Sequence, residues 1–224
     1  MIFLHHVLVH LRKDLRLEWR SRDSVTGMLF FSLLVVVVFS LAFDPTAAIS
    51  RQIAGGILWL ALLFAVVTAL NQSWTREQRN HVLDAQRMAP SSGAALFLGK
   101  ALANMIFVTS VEVILTPLFI IFYNLRALGQ SSLLLLVLPL GTWALVSNGT
   151  FFAALGLRTR NRELMLPLVL FPISIPALLA MIQATTAILT GEYEPKLWID
   201  LLLGYNIIFT LVCLLLFETI LNAE

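Results

Sequence analysis

The chain has 224 residues, of which 59% are hydrophobic and only 12% are charged, with a formal net charge of +2. Soluble domains carry about a quarter charged residues, so this composition excludes an ordinary soluble domain and indicates a polytopic membrane protein. The basic residues flank apolar runs, where they orient membrane helices, so the charge gives no reason to expect a nucleic-acid partner. A single cysteine, Cys213, excludes an internal disulfide.

Residues 1–22 are expected to form an amphipathic helix. Apolar side chains recur there at steps of three and four residues, at Leu4, Leu8, Leu11, Leu15 and Trp19. This spacing predicts one apolar stripe along a helix, with the basic residues beside it. A basic helix with an aromatic end fits a position in the membrane interface, leading into a first span. A solvated tail would explain the charges but not the stripe.

Six apolar runs follow, and they predict transmembrane helices near residues 25–43, 53–70, 101–123, 133–157, 164–189 and 199–221. About 20 helical residues, each rising 1.5 Å, are needed to cross roughly 30 Å of hydrocarbon. Hydrocarbon offers the backbone no hydrogen-bond partner, so a helix is the expected state of each run. The fold class is therefore an all-α polytopic membrane protein, with a single transmembrane domain over residues 1–224.

The lysines and arginines orient this bundle. If the N-terminus is inside, only Arg51, Arg126 and Lys196 of the 15 basic residues lie outside. The positive-inside rule then places both termini in the cytoplasm. The longest polar interruption, residues 71–100, becomes a cytoplasmic loop with a short helix candidate that ends at Pro90.

The end of this loop is expected to start the next helix. Ser91 or Ser92 is suitably placed to cap a helix that begins near Gly93. Lys100 would then lie just inside the membrane, and we expect its ammonium group to reach back to the headgroups.

Features inside the spans are candidates for a substrate path or a gate. Glu112 is the only ionisable side chain in the middle of a span, where a carboxylate is costly. It is either a path residue or a neutral group hydrogen-bonded to a neighbouring helix. Pro167, Pro172 and Pro176 predict a kinked fifth span whose outer part bends or re-enters, with an ordinary kinked and tilted span as the alternative. Pro117, Pro172 and Pro176 join Glu112 as candidate path or gating residues.

The sequence carries no catalytic or ATP-binding signature. The segment from Gly93 to Ala101 resembles a phosphate loop only briefly, because five residues separate its glycines and alanine follows the lysine. Metalloprotease and serine-hydrolase motifs are also missing from the sequence. We therefore expect a non-catalytic chain, and any use of ATP would depend on another subunit.

Several segments together resemble the haem exporter protein B (CcmB) family: Gly55–Phe64, Leu83–Pro90, Leu98–Ala101, Leu115–Leu118 and Leu166–Pro176. The resemblance implies an ABC-2-type (type V exporter-like) half-transporter of the bacterial inner membrane. It would be the permease subunit of an ABC transporter in cytochrome c maturation, paired with a second copy of itself and with a separate ATP-binding subunit. A haem-handling membrane subunit and a small single-span subunit would complete the complex, which would act indirectly on a periplasmic haem chaperone.

The resemblance also implies that no cofactor binds directly to this chain, since the partner binds ATP and haem is a substrate of the complex. The 71–100 loop would couple ATP hydrolysis to helix movement through Arg76, Arg79, Val82, Leu83, Asp84, Arg87 and Met88. Three alternatives remain open: an ABC-2-type permease for another amphipathic substrate, a non-transporting assembly subunit, and a stand-alone secondary transporter. The last class usually shows internal repeats and intramembrane charge, whereas this sequence shows no repeat and only Glu112.

Overall fold

The computed structural model describes residues 2–21, 23–43, 47–79, 92–125, 130–156 and 162–222. Within these ranges the helices are α1 (Ile2–Ser21), α2 (Asp23–Ala42), α3 (Ala47–Arg79), α4 (Gly93–Phe122), α5 (Leu134–Gly156), α6 (Arg162–Thr190) and α7 (Lys196–Asn222), with a 3-10 turn at Ser131–Leu133. The same ranges contain no strand, which confirms the all-α class.

Six segments of the described chain are long and apolar enough to cross a membrane: Ser24–Ala42, Ile49–Trp74, Gly93–Phe122, Ser131–Gly156, Leu164–Thr190 and Lys196–Thr219. They correspond one to one with the six predicted spans. The protein is therefore a multi-pass membrane protein.

The polar stretch between the second and third spans is more helical than the sequence analysis expected. The helix α3 continues through Arg79 and α4 begins at Gly93, so residues 80–92 separate them, and of these only Ser92 is among the described residues. Polar side chains end the span but not the helix, because a helix can keep its i to i−4 hydrogen bonds beyond the hydrocarbon. Ser92 caps α4 as predicted, since its side chain accepts a hydrogen bond from the Ala95 N–H at 3.3 Å.

The helix α3 lies at the centre of the bundle and packs against α2, α4, α5 and α6. Small residues permit the close approach that membrane helices need. At Gly141 of α5, an added Cβ would lie 2.2 Å from the ring of Trp59, so only glycine leaves room for this indole. The Trp59 Nε1–H donates to Thr185 Oγ1 of α6 at 2.9 Å, which gives the buried ring a polar partner.

The fifth span, α6, is one continuous helix through its three prolines. The expectation that its outer part re-enters the membrane is therefore wrong. Neighbouring helices can supply hydrogen bonds where proline disturbs the backbone. The Tyr205 hydroxyl of α7 donates to the Ile173 carbonyl at 3.0 Å, in the turn before Pro176, and accepts from Asn148 Nδ2 of α5 at 2.7 Å.

The first helix, α1, packs along α4 with its polar side inward. Leu4, Leu8 and Trp19 of the predicted apolar stripe are exposed, whereas Val7 and Glu18 are buried. In a membrane the surroundings are apolar, so an outward apolar stripe fits the predicted interfacial position. The inward side is then free to carry charge.

Candidate functional site

Among the described residues, four charged side chains from three helices meet at one end of the bundle, and we call them the ionic cluster: Lys13 and Asp14 of α1, Glu77 of α3 and Lys100 of α4. Lys100 Nζ lies 3.0 Å from Glu77 Oε1 and 3.4 Å from Asp14 Oδ2. Lys13 Nζ lies 3.2 Å from Asp14 Oδ1 and donates a hydrogen bond to Glu77 Oε1. Each lysine therefore contacts both carboxylates, and the cluster joins α1 to the end of α3 and the start of α4.

Two members of the cluster are almost completely buried. The side chains of Lys100 and Glu77 are 1% and 4% exposed, whereas those of Asp14 and Lys13 are 11% and 31% exposed. Lys100 Nζ also lies 4.5 Å from the centroid of the Trp74 ring, a cation–π contact. Buried charges persist only when they are paired. The expectation that Lys100 reaches back to the headgroups is therefore wrong, because this ammonium group is held inside by two carboxylates and an aromatic face.

The electrostatics of the cluster favour its charged form. Burial by itself would raise the pKa of the Glu77 carboxyl, but Lys100 and Lys13 outweigh burial and hold that pKa below its ordinary value. Burial would likewise lower the pKa of Lys13, but Asp14 and Glu77 raise it above its ordinary value. Burial, followed by the charge of Lys13, lowers the pKa of His10, so this nearby imidazole is neutral at neutral pH.

Gly99 explains how α1 comes close enough to complete the cluster. A Cβ added at Gly99 would lie 2.6 Å from His10 Cβ and 2.9 Å from the Val7 carbonyl oxygen. A side chain at this position would therefore push α1 away from α4. The next residue along α4 is Lys100, so the glycine contact brings the α1 backbone near the ammonium group that Asp14 binds.

Glu18 ties α1 to the first span. Its carboxylate accepts hydrogen bonds from Ser24 N–H at 2.9 Å, Ser24 Oγ at 2.8 Å and Val25 N–H at 3.2 Å, all in the first turn of α2. The first N–H groups of a helix have no partner inside the helix, and a negative charge there also complements the helix dipole. The end of α1 thus caps the start of α2.

A cavity of about 120 Å³ adjoins the ionic cluster. It is lined by the polar residues Lys13, Asp14, Glu18, Ser24, Ser73, Glu77 and Asn104 and by the apolar residues Leu17, Ala69 and Phe107. A buried water needs about 10–15 Å³ and several polar partners, so this space can hold several waters. Pockets for drug-sized organic ligands measure about 300–1,000 Å³, and this cavity is smaller than that range.

The structure places the predicted coupling residues as follows. Arg76 and Arg79 lie in the last turn of α3, on either side of Glu77. The remaining five, Val82, Leu83, Asp84, Arg87 and Met88, lie outside the described residues. What the structure adds is that both flanks of segment 80–91 belong to the ionic cluster, through Glu77 before it and Lys100 after it.

The predicted path or gating residues lie on two different helices. Glu112 and Pro117 lie on α4, whereas Pro172 and Pro176 lie on α6, and none of the four lines the cavity beside the ionic cluster. Glu112 is buried, and its Oε2 accepts a hydrogen bond from Thr142 Oγ1 of α5 at 2.8 Å. This contact agrees with the interhelical hydrogen bond expected in the structural alternative, and a gating role stays a prediction.

The ionic cluster was not predicted from the sequence. A signal for it was present, because Val7, Leu11, Asp14 and Glu18 recur at steps of four and three and define a second face of α1. The leucine stripe obscured this face, since a helix of a soluble protein would bury leucine and expose aspartate. As for metals, the described ranges hold no group of three or more His, Cys, Asp or Glu side chains suited to an ion.

Comparisons with known proteins identify the family. The family model described as "CcmB protein" matches residues 5–220. The Heme exporter protein B of Rhodobacter capsulatus is 35% identical over 169 residues, which cover 75% of this chain and 77% of the relative. The protein of the same name from Pseudomonas aeruginosa is 30% identical over 181 residues, covering 81% of each chain. That from Bradyrhizobium diazoefficiens is 29% identical over 182 residues, again 81% of each. The matched range contains all six spans and the whole ionic cluster, and the chain therefore belongs to the CcmB family.

Proposed function

We propose that this chain is the membrane permease subunit of an ABC transporter complex that serves haem export in cytochrome c biogenesis. The observation that carries the proposal is the family match over residues 5–220, together with relatives named Heme exporter protein B that align over most of their length. The chain lies in the bacterial inner membrane with both termini in the cytoplasm. It is not itself an enzyme, because a separate subunit binds and hydrolyses ATP.

The coupling of ATP hydrolysis to the helix bundle occurs at segment 80–91 and its flanks. Arg76, Arg79, Val82, Leu83, Asp84, Arg87 and Met88 contact the ATP-binding subunit. Closure of that subunit displaces the segment, and the displacement moves the end of α3 and the start of α4. Support comes from the central position of α3, which packs against four other helices and would spread such a movement through the bundle.

The complex also contains a second copy of this chain, a haem-handling membrane subunit and a small single-span subunit. Its output is release of a haem-loaded chaperone on the outer side. This chain acts mechanically and not as a haem-binding subunit. Support comes from the histidines of the sequence: under the proposed topology His5, His6, His10 and His81 all fall on the cytoplasmic side, so none can be a haem ligand on the outer face.

Replacing residues 82–88 by seven glycines and serines tests the coupling segment without shortening the chain. A matched control replaces the outer connection 191–195 in the same way. Both variants are expected to insert in the membrane, but only the first should lose capture of the ATP-binding subunit and ATP-dependent chaperone release. If the 82–88 variant retains both, the coupling assignment is wrong.

Purification of the native complex separates the remaining functions. Haem and an ATP-binding subunit together in the complex support the proposal. An ATP-binding subunit with another amphipathic molecule in place of haem would indicate a different ABC-2-type permease. A complex without any ATP-binding chain would indicate an assembly subunit or a stand-alone transporter.

A further inference from the structure

We infer that the ionic cluster locks α1 to both flanks of segment 80–91, so that α1 carries movement of that segment to the first span, α2. The source of the movement rests on the proposed function. The lock itself concerns only residues of this chain and can be tested without any partner.

The lock consists of contacts that its two lysines and two carboxylates share. Lys100 and Lys13 each contact both Asp14 and Glu77, so no single contact holds α1 to one helix alone. Separating the end of α3 from the start of α4 would break the 3.0 Å pair between Lys100 and Glu77. Because that pair is almost completely buried, its charges would lose their partners without gaining full hydration.

Different kinds of contact attach α1 to α4 and to α3. The backbone of α1 packs closely along α4 at Gly99. Its packing against α3 is slight by comparison, so the side chains of the cluster provide the main link between α1 and α3. Removal of these charges should therefore release α1 from the end of α3 while the helices of the bundle remain packed.

Glu18 connects α1 to the first span, α2. Glu18 lies one helical turn beyond Asp14, and its carboxylate accepts three hydrogen bonds from the first turn of α2. A rotation or tilt of α1 would therefore displace the start of α2. Since α2 also packs on α3 and α4, the first span receives the movement both through α1 and through its own contacts.

The cavity beside the cluster makes such a movement possible. Its polar lining can hold waters that exchange hydrogen bonds with the charged groups as their spacing changes. A close-packed apolar contact would instead have to open an empty space, which is costly. The charges of the cluster therefore hold the helices together, and its polar cavity can admit the waters that a change of spacing requires.

The lock is tested first on the purified chain in lipid nanodiscs. Spin labels at Leu8 of α1 and Phe64 of α3, both exposed, report the distance between these two helices, in a Cys213→Ala background. We expect Lys100→Met to broaden the distance distribution, whereas Lys196→Met, at an exposed lysine of the other end of the bundle, leaves it unchanged. If Lys100→Met does not yield folded protein, the double variant Lys100→Met with Glu77→Gln removes both charges together and should fold more readily. A distribution as narrow as the parent's in the folded variant overturns the inference.

The transmission is tested next in the complex with the ATP-binding subunit and a non-hydrolysable ATP analogue. Labels at Leu8 and at Ala94 are measured separately against Leu135. In the parent both labels should shift on nucleotide binding, and in Lys100→Met the shift at Leu8 should become smaller relative to that at Ala94, because only the packing at Gly99 then carries α1. If the label at Leu8 shifts equally in parent and variant, or does not shift in the parent complex, the inference is overturned while the proposed function stands. If the parent captures no ATP-binding subunit, the proposed function fails, and the nanodisc measurement still decides whether the lock exists.

Discussion

Replacing Lys100 with methionine removes the most deeply buried charge of the ionic cluster but keeps a long unbranched side chain. At an effective dielectric constant of about 20, an ammonium group 3.0 Å from a carboxylate gains roughly 5–6 kcal/mol, and one at 3.4 Å gains roughly 5 kcal/mol. Burial of the ions and repulsion from Lys13 offset much of this gain. Loss of one partner from a buried pair typically costs about 3–5 kcal/mol, and we expect Lys100→Met to lower the free energy of unfolding by that amount.

The assay is unfolding by sodium dodecyl sulfate in mixed micelles, followed by tryptophan fluorescence. Removal of Glu77 and Lys100 together should cost less than the sum of the two single changes, because the double variant leaves no unpaired member of that pair. Lys196→Met, at an exposed site, should change the free energy of unfolding by no more than about 0.5 kcal/mol. Additive losses, or a Lys100→Met variant as stable as this control, would refute the reasoning.

The same variant should change the response to acid. In the parent, the pKa of Glu77 is held below its ordinary value of 4.5, so its ionised form stabilises the fold at neutral pH. That contribution is present above the ordinary pKa and is lost as the pH falls through the lowered pKa. Without Lys100, the largest influence opposing burial is gone, and the pKa of Glu77 should rise. Acidification should then destabilise the variant less than the parent, and equal acid dependence of both would contradict this account.

Three further changes test the packing and the polar contacts of the bundle. Gly99→Ala should displace α1 and lower the free energy of unfolding by about 1–3 kcal/mol, as overpacking does. The control Gly204→Ala, with no atom within 4 Å of the added Cβ, should be neutral or slightly stabilising. Unfolding curves of the two variants test this difference. Glu112→Gln should leave assembly intact and change transport activity only modestly, because an amide oxygen can accept the same hydrogen bond from α5. Complete loss of activity would assign a functional role to the carboxyl group. Tyr205→Phe should cost about 1 kcal/mol or more by leaving buried partners on α5 and α6 unsatisfied, whereas Tyr193→Phe, at an exposed site, should change the unfolding midpoint little.

The spans were predictable because hydropathy alone determines which segments can lie in hydrocarbon. The six predicted runs correspond to the six spans of the structure, although the second and third extend further than expected. The end of α3 was missed because residues 71–79 are polar, and polarity was taken to end the helix as well as the span. The capping serine of α4 was predictable, because Ser92 directly precedes a long apolar run.

The ionic cluster was not predictable in the same way, because its members are far apart in the sequence. Asp14, Glu77 and Lys100 each looked like an ordinary charged residue at headgroup depth, and only the approach of α1 at Gly99 brings them together. Such an arrangement depends on how three helices pack, and that is decided by shape as well as by polarity. The sequence could not decide between a re-entrant and a continuous α6 for a related reason, since the hydrogen bond that Tyr205 donates near Pro176 comes from another helix.

The position of α1 also has a consequence for how the protein is made. The residues that hold this first helix are synthesised after it, since Glu77 follows two complete spans and Lys100 lies within the third. A nascent chain that has emerged only as far as α3 lacks Lys100 and Gly99, so Glu77 is then the only later member of the cluster that α1 can contact, and α1 cannot yet pack along α4. Docking of the N-terminal helix is therefore a late event in membrane insertion, and it marks the point at which the first half of the bundle is complete.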